Sequence, residues 1–257
     1  MNLWQGSVIF VAAFIAGMVN SVAGGGTLLS FPALLWIGVA PITANATNTV
    51  ALWPGSLAGM VGFRRELGDT RRWMLLLGAP SVIGAVVGAV LLLITPAETF
   101  TLLVPYLILL ATVLFAAQEP LRRAMGISTP KQGDSPRRTW WMGAMLFQFG
   151  VAVYGGYFGA GIGILMLAAL GLLGLTDIHQ MNALKNFLAL CINGCAAAYF
   201  VCAGAVSWRH ALVMTAGAIA GGFGGAGLAR RLGRTFVRRA IVAVGLAMAI
   251  SLFYRHQ

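Results

Sequence analysis

The sequence predicts an all-α integral membrane protein made of two inverted repeats, each a glycine-broken hairpin plus three transmembrane helices. Three observations lead there: a composition that cannot clothe a soluble surface, two halves written to one plan, and basic clusters that fit one threading best. Of 257 residues, 59% are hydrophobic and only 9% charged, where a soluble globule carries about a quarter charged. Apolar runs at residues 7–22, 73–94, 100–117 and 237–253 approach the roughly 20 residues a helix needs to cross a bilayer. In hydrocarbon the backbone must pair its own polar groups, so continuous apolar runs of this length mean helices.

The first element begins near the N-terminus. Met1 to Gln5 bring no positive charge and no small-residue cleavage site follows, so residues 7–22 are expected to remain as a span and not to leave as a signal peptide. The chain then divides near the polar stretch 118–139, which holds Pro120, Pro130, Gly133 and Pro136. Residues 1–117 form the first expected repeat, with a hairpin tip near 24–27. Residues 118–139 form a cytoplasmic linker, and residues 140–257 the second repeat, with its tip near 155–163. Each repeat runs an apolar segment into a glycine cluster: Gly24, Gly25, Gly26 and Thr27 in one; Gly155, Gly156, Gly159 and Gly161 in the other. A shorter apolar stretch follows (28–38 and 162–175); residues 28–38 are too few to cross, and the sequence is compatible with re-entrant or with fully spanning hairpins. Next comes a helix with a polar start: Asn45, Thr47, Asn48 and Thr49 against Asn182, Lys185 and Asn186. The following helix has small residues four apart, Gly84 and Gly88 against Gly217, Gly221 and Gly225, a spacing that lets helix backbones approach closely in lipid. A plain apolar span closes each half.

Orientation follows from arginine and lysine, which collect in cytoplasmic loops. Clusters occur at Arg64, Arg65, Arg71 and Arg72; at Arg122, Arg123, Lys131, Arg137 and Arg138; and at Arg230, Arg231, Arg234, Arg238 and Arg239. If each glycine-broken segment crossed once, the third cluster would face away from the first two. If each broken segment returns to its own side, all three share one face, and only Arg209, Arg255 and Lys185 remain outside. The returning hairpins then give each half an odd number of passages, so the second half lies upside down relative to the first. Inverted repeats whose broken helices meet near the midplane are a recurrent transporter architecture. The basic loops are placed in the cytoplasm of a bacterial cell, with the span set in its inner membrane and both termini periplasmic. The net charge of +11 is thus a topology signal and not a nucleic-acid face.

Chemistry is expected at the breaks. Unwound glycine backbone, and the N-terminus of the half-helix after it, direct N–H dipoles at an anion. Close packing or a sharp turn would also select glycine; two clusters at matching places favour the anion reading. Asn20, one turn before the first cluster, joins the same set. Asn45, Thr47, Asn48 and Thr49 can cap a helix or bond between helices, or face a ligand. Lys185 is the one ionisable residue expected within a span, which is costly and functional by default; its alternative is snorkelling to the interface. The acids Glu66, Asp69, Glu98, Glu119, Asp134 and Asp177 all fall in loops or connections, so no carboxylate relay crosses the membrane. Cys191, Cys195 and Cys202 share one apolar segment and read as small packing residues. His179, His210 and His256 lack ligand spacing, so no metal or cofactor is expected. Trp4, Trp36, Trp140, Trp141 and Trp208 stand near span ends, as an aromatic belt does. No nucleophile and base pair argues for an enzyme.

These residues resemble the sulfite exporter TauE/SafE family of bacterial membrane proteins. The resemblance rests on the run from Ala23 to Thr27, on Phe31-Pro32-Ala33-Leu34, and on the run from Ala46 to Ser56. In the second half it rests on Gly159-Ala160-Gly161-Ile162-Gly163 and on Met181 to Asn186. It implies a secondary transporter exporting a small anion, with sulfite or an organosulfonate as the expected substrate. Where many relatives have Thr-Asn, this chain has Lys185-Asn186, which suits a more strongly charged or carboxylated anion. The residues expected to bind the substrate are Asn20, Gly24, Gly25, Gly26, Thr27, Asn45, Thr47, Asn48, Thr49, Gly159, Gly161, Asn182, Lys185 and Asn186. The sequence leaves an anion channel, a carrier of another organic acid and a non-transporting scaffold as alternatives, and is compatible with a homodimer.

Overall fold

The structure is a computed structural model that describes residues 1–22, 25–62, 71–124, 138–172, 175, 178–224 and 234–255. Among them every regular element is a helix. The first half holds α1 (Leu3–Val22), α2 (Thr27–Trp36), α3 (Pro41–Gly62), α4 (Arg71–Ile94) and α5 (Ala97–Ala124). The second holds α6 (Arg138–Tyr157), α7 (Ile162–Leu172), α8 (Ile178–Cys202), α9 (Trp208–Gly224) and α10 (Arg234–Arg255). Helices α1, α4, α5 and α8 each contain an apolar stretch long enough to cross a membrane, whereas α2, with 10 residues, does not.

Two boundaries differ from the sequence expectation. Helix α5 continues to Ala124 and α6 starts at Arg138, so both reach into the stretch expected as linker. The second break is also narrower than its glycines suggest. Gly155 and Gly156 stay helical within α6, and only Phe158 to Gly161 leave the helix. Gly156 packs so closely on Ala85 that a Cβ would collide with its carbonyl oxygen, and a Cβ on Gly155 would stand 2.8 Å from Ile192. Packing accounts for these two glycines.

Glycine and alanine also decide how the long helices meet. Helix α1 lies along α9, and α6 along α4. At the first crossing Gly217 and Gly221 sit against the carbonyls of Phe10 and Phe14, and Gly17 against that of Ala218. At the second, Gly84 and Gly88 sit against the carbonyls of Phe149 and Val153, and Gly156 against that of Ala85. The register is shared: the same number of residues separates Phe10 from Phe149, Phe14 from Val153 and Gly17 from Gly156. It is likewise constant from Gly84 to Gly217, Ala85 to Ala218 and Gly88 to Gly221. Other partners are exchanged in the same way. Helix α4 touches α8 as α9 touches α3; α7 touches α5 as α2 touches α10; and α3 meets α8 as α5 meets α10.

The core at the breaks gathers Leu28, Phe31, Ala46, Ile108, Ala111, Phe115, Phe158 and Ile164, all buried. Outward from it, Leu75, Ile83, Leu102, Val113, Leu146, Leu212, Phe223 and Ile250 are exposed. An apolar exterior of this extent would promote association in water and matches the hydrocarbon of a bilayer.

Candidate functional site

Each break is a left-handed backbone step closed by a polar side chain from the helix before it. Gly25 has φ +88°, and Gly159 and Gly161 have +78° and +79°, a region in which a Cβ is strained. In the first break Asn20 Oδ1 accepts a hydrogen bond from the Gly26 N–H at 2.8 Å. In the second, Tyr154 Oη donates to the Ala160 carbonyl at 2.8 Å. Both straps span six residues, one using a carboxamide and the other a phenol. Gly24 lies outside the described residues.

The two breaks converge on one stretch of α5. A Cβ on Gly25 would stand 2.7 Å from Phe115, and one on Gly161 would stand 3.6 Å from the Ala111 carbonyl and 3.8 Å from Leu114. Phe31 of α2 meets Phe158 of the second break edge to face, with ring centroids 5.3 Å apart. Phe31, Phe115, Phe158 and Ala160 are all buried, so the region between the breaks is closely packed.

Both polar helix starts reach the helix ends that flank the second break. From α3, Asn45 Nδ2 donates to the Tyr157 carbonyl at 2.9 Å. From α8, Lys185 lays its methylene stem beside Gly163, whose Cβ would stand 3.3 Å from Lys185 Cδ. Lys185 is half-buried, eight residues into α8, and its ammonium donates to Asn182 Oδ1 at 3.3 Å. Asn186 follows it, also half-buried. Asn48 turns toward the first hairpin, where its Oδ1 accepts from the Ser30 hydroxyl of α2 at 2.5 Å.

Not every polar residue of the expected set serves this region. The Thr49 hydroxyl donates to the Asn45 carbonyl one turn back, a common local use of threonine in a helix. Thr47 Oγ1 accepts from the Ser207 N–H at 3.0 Å, fixing the start of α9 against α3. Thr27 is half-buried at the first position of α2. Asn45, Thr47 and Asn48 are 1% exposed or less; in an apolar surround such groups need partners.

The sequence reading missed several contributors. Ser30 is the one hydroxyl in an otherwise apolar stretch of α2, which was a usable signal. Asn193, half-buried in mid-α8, donates to the Ala189 carbonyl, and its Oδ1 would lie 3.6 Å from a Cβ at Gly159. Tyr154 carries no sequence signal and Trp53 stands out only within the run from Ala46 to Ser56, although Trp53 Nε1 donates to the Leu190 carbonyl across the α3–α8 crossing. Only three-dimensional placement reveals the roles of Asn193, Tyr154 and Trp53.

Among the described residues no group of three or more His, Cys, Asp or Glu is placed to hold a metal. The three cysteines are free thiols.

Comparison with known proteins finds sequence similarity along nearly the whole chain. The family profile for sulfite exporter TauE/SafE matches residues 9–252. A probable membrane transporter protein of Haemophilus influenzae is 28% identical over 254 residues, covering 96% of this chain and 94% of that protein. The probable membrane transporter protein ORF9 of a Sinorhizobium species is 29% identical, covering 95% and 90%. The probable membrane transporter protein YfcA of Escherichia coli K12 is 29% identical, covering 96% and 89%. No solved structure matches the chain significantly. The chain belongs to the sulfite exporter TauE/SafE family and is a multi-pass membrane transporter of a small-molecule substrate.

Proposed function

We propose that the protein is a secondary carrier that exports a small anion, sulfite or an organosulfonate, across a bacterial inner membrane by alternating access. The observation that carries this reading is the convergence of both glycine breaks on Ala111–Phe115 of α5, with Lys185 beside Gly163 in the first turn of α7. Half-helices that start at a break direct partial positive charge toward it, and Lys185 supplies a full charge. Asn182 and Asn186 add carboxamide donors beside it. No acidic residue occurs in the described parts of α2, α3, α7 or α8, so an anion there meets no fixed negative charge.

The exchanged packing of α1–α9 and α4–α6 supports an inverted repeat, with the α3–α8 crossing near its axis. Rocking one repeat against the other about such an axis exposes a central site to each side in turn. With the cell interior negative, export of each negative charge gains about 2.3 kcal/mol per 100 mV, so the membrane potential suffices as a driving force. The positive-inside pattern assigns the basic clusters to the cytoplasmic face.

The reading is tested with purified protein in liposomes, offered sulfite, sulfoacetate, taurine and thiosulfate in turn. Saturable, exchange-stimulated flux of a sulfur oxyanion is the expected result. Flux that rises linearly with concentration and ignores exchange would identify a channel. No protein-dependent flux of any of them would refute the substrate class.

A further inference from the structure

We infer that the C-terminal end of α6, together with Asn45, forms a binding site for a small alkali cation of sodium type, distinct from the anion-attracting starts of α2 and α7. Asn45 is 1% exposed. Its amide nitrogen is committed to the Tyr157 carbonyl, and a carbonyl accepts only from a donor, so the orientation of the carboxamide follows. That leaves Asn45 Oδ1 buried with no hydrogen-bond partner among the described residues. A buried acceptor left unmatched is costly and calls for a donor or a cation.

The surroundings select a cation. Tyr157 is the last residue of α6, so Asn45 stands where helix carbonyls carry partial negative charge. The Tyr154 carbonyl of the same turn already receives the Phe158 and Gly159 N–H groups, and the Ala160 carbonyl receives Tyr154 Oη. The Tyr154, Tyr157 and Ala160 carbonyls thus each accept a hydrogen bond already, and among the described residues Asn45 Oδ1 is the acceptor left over at this helix end. Broken helix ends whose carbonyls hold sodium are a general device of carriers. Every acceptor here is neutral, which suits a monovalent ion and not a divalent one. Gln148 Oε1 is also buried without a hydrogen-bond partner among the described residues. It lies between α4 and α6 beside Ser81, away from any helix end.

This inference rests on the carrier reading, because a cation at the second break shares the moving hairpin with the anion and couples to it. The test uses full-length protein in nanodiscs without substrate, replacing choline chloride stepwise by sodium chloride at constant ionic strength. The melting midpoint is expected to rise saturably with sodium, by roughly 3–6 °C at ten times the dissociation constant. Asn45→Leu should lose that response, and Asn45→Asp, which retains an oxygen, should keep it. A flat titration, or a linear rise that choline matches, overturns the cation site. If Asn45→Leu fails to fold, the wild-type titration decides alone. Choline sulfite, titrated separately, keeps the two readings apart. Stabilisation by sulfite without any sodium response sinks the cation site and leaves the anion reading standing. Stabilisation by sodium alone does the reverse.

Discussion

Trp53 and Leu190 meet across the α3–α8 crossing, where the indole Nε1–H donates to the Leu190 carbonyl at 3.1 Å. The indole fits because Gly194 has no side chain: a Cβ there would stand 2.9 Å from Trp53 Nε1 and 3.2 Å from Cε2. The two halves thus share a hydrogen bond at the helix pair that carries both polar starts. Trp53→Phe keeps the ring and removes the donor, so it should destabilise by about 1 kcal/mol. Gly194→Ala should cost more, about 1–3 kcal/mol, through overpacking. Thermal unfolding in detergent reads both, and the reverse ranking would mean that the crossing relaxes around a methyl group.

The interlocked glycines of α1–α9 and α4–α6 should behave as a set. Gly88→Ala and Gly221→Ala place a methyl group against the Val153 and Phe14 carbonyls and should each cost about 1–3 kcal/mol. Gly78→Ala has open space around it and should be neutral, or stabilising by up to about 1 kcal/mol through helix propensity. Equal melting of all three variants would show that these crossings do not depend on close backbone approach.

Strapping of the hairpins gives a functional prediction. Tyr154→Phe removes only the hydroxyl that reaches Ala160. It should cost about 1 kcal/mol and loosen the second break, raising hydrogen exchange at residues 158–161 above wild type. Unchanged exchange there would assign the strap no role in holding the turn.

Threading can be checked by chemistry on a background in which Cys191, Cys195 and Cys202 are replaced by serine. Cysteines introduced as Gly68→Cys and Thr235→Cys should react with an impermeant thiol reagent only from the cytoplasmic side. Labelling of the two from opposite faces would remove the inverted repeat.

Much of the fold was legible because lipid imposes few solutions. The long apolar runs became α1, α4, α5 and α10, since a chain in hydrocarbon must pair its own backbone. The small-residue spacing at Gly84, Gly88, Gly217 and Gly221 became the crossings it suggested, because only glycine admits a neighbouring carbonyl there. Gly155 and Gly156 were harder: a glycine chosen for packing and one chosen for a turn look alike until φ is known. Pairings distant in the chain stayed hidden for the same reason. Nothing local marks that Asn45 will face Tyr157, or that Thr47 will spend its oxygen on Ser207. Lys185 was legible as an anomaly, since a charge amid apolar residues stands out, but its neighbour Gly163 emerged only from packing.

The account stands most directly on Lys185, and exchange of labelled sulfite by purified protein in liposomes tests it. Wild type is expected to show saturable exchange, and Lys185→Met to fall to the level of protein-free liposomes while its melting midpoint stays within a few degrees of wild type. Sulfite exchange in Lys185→Met equal to wild type would contradict an anion site built around that lysine.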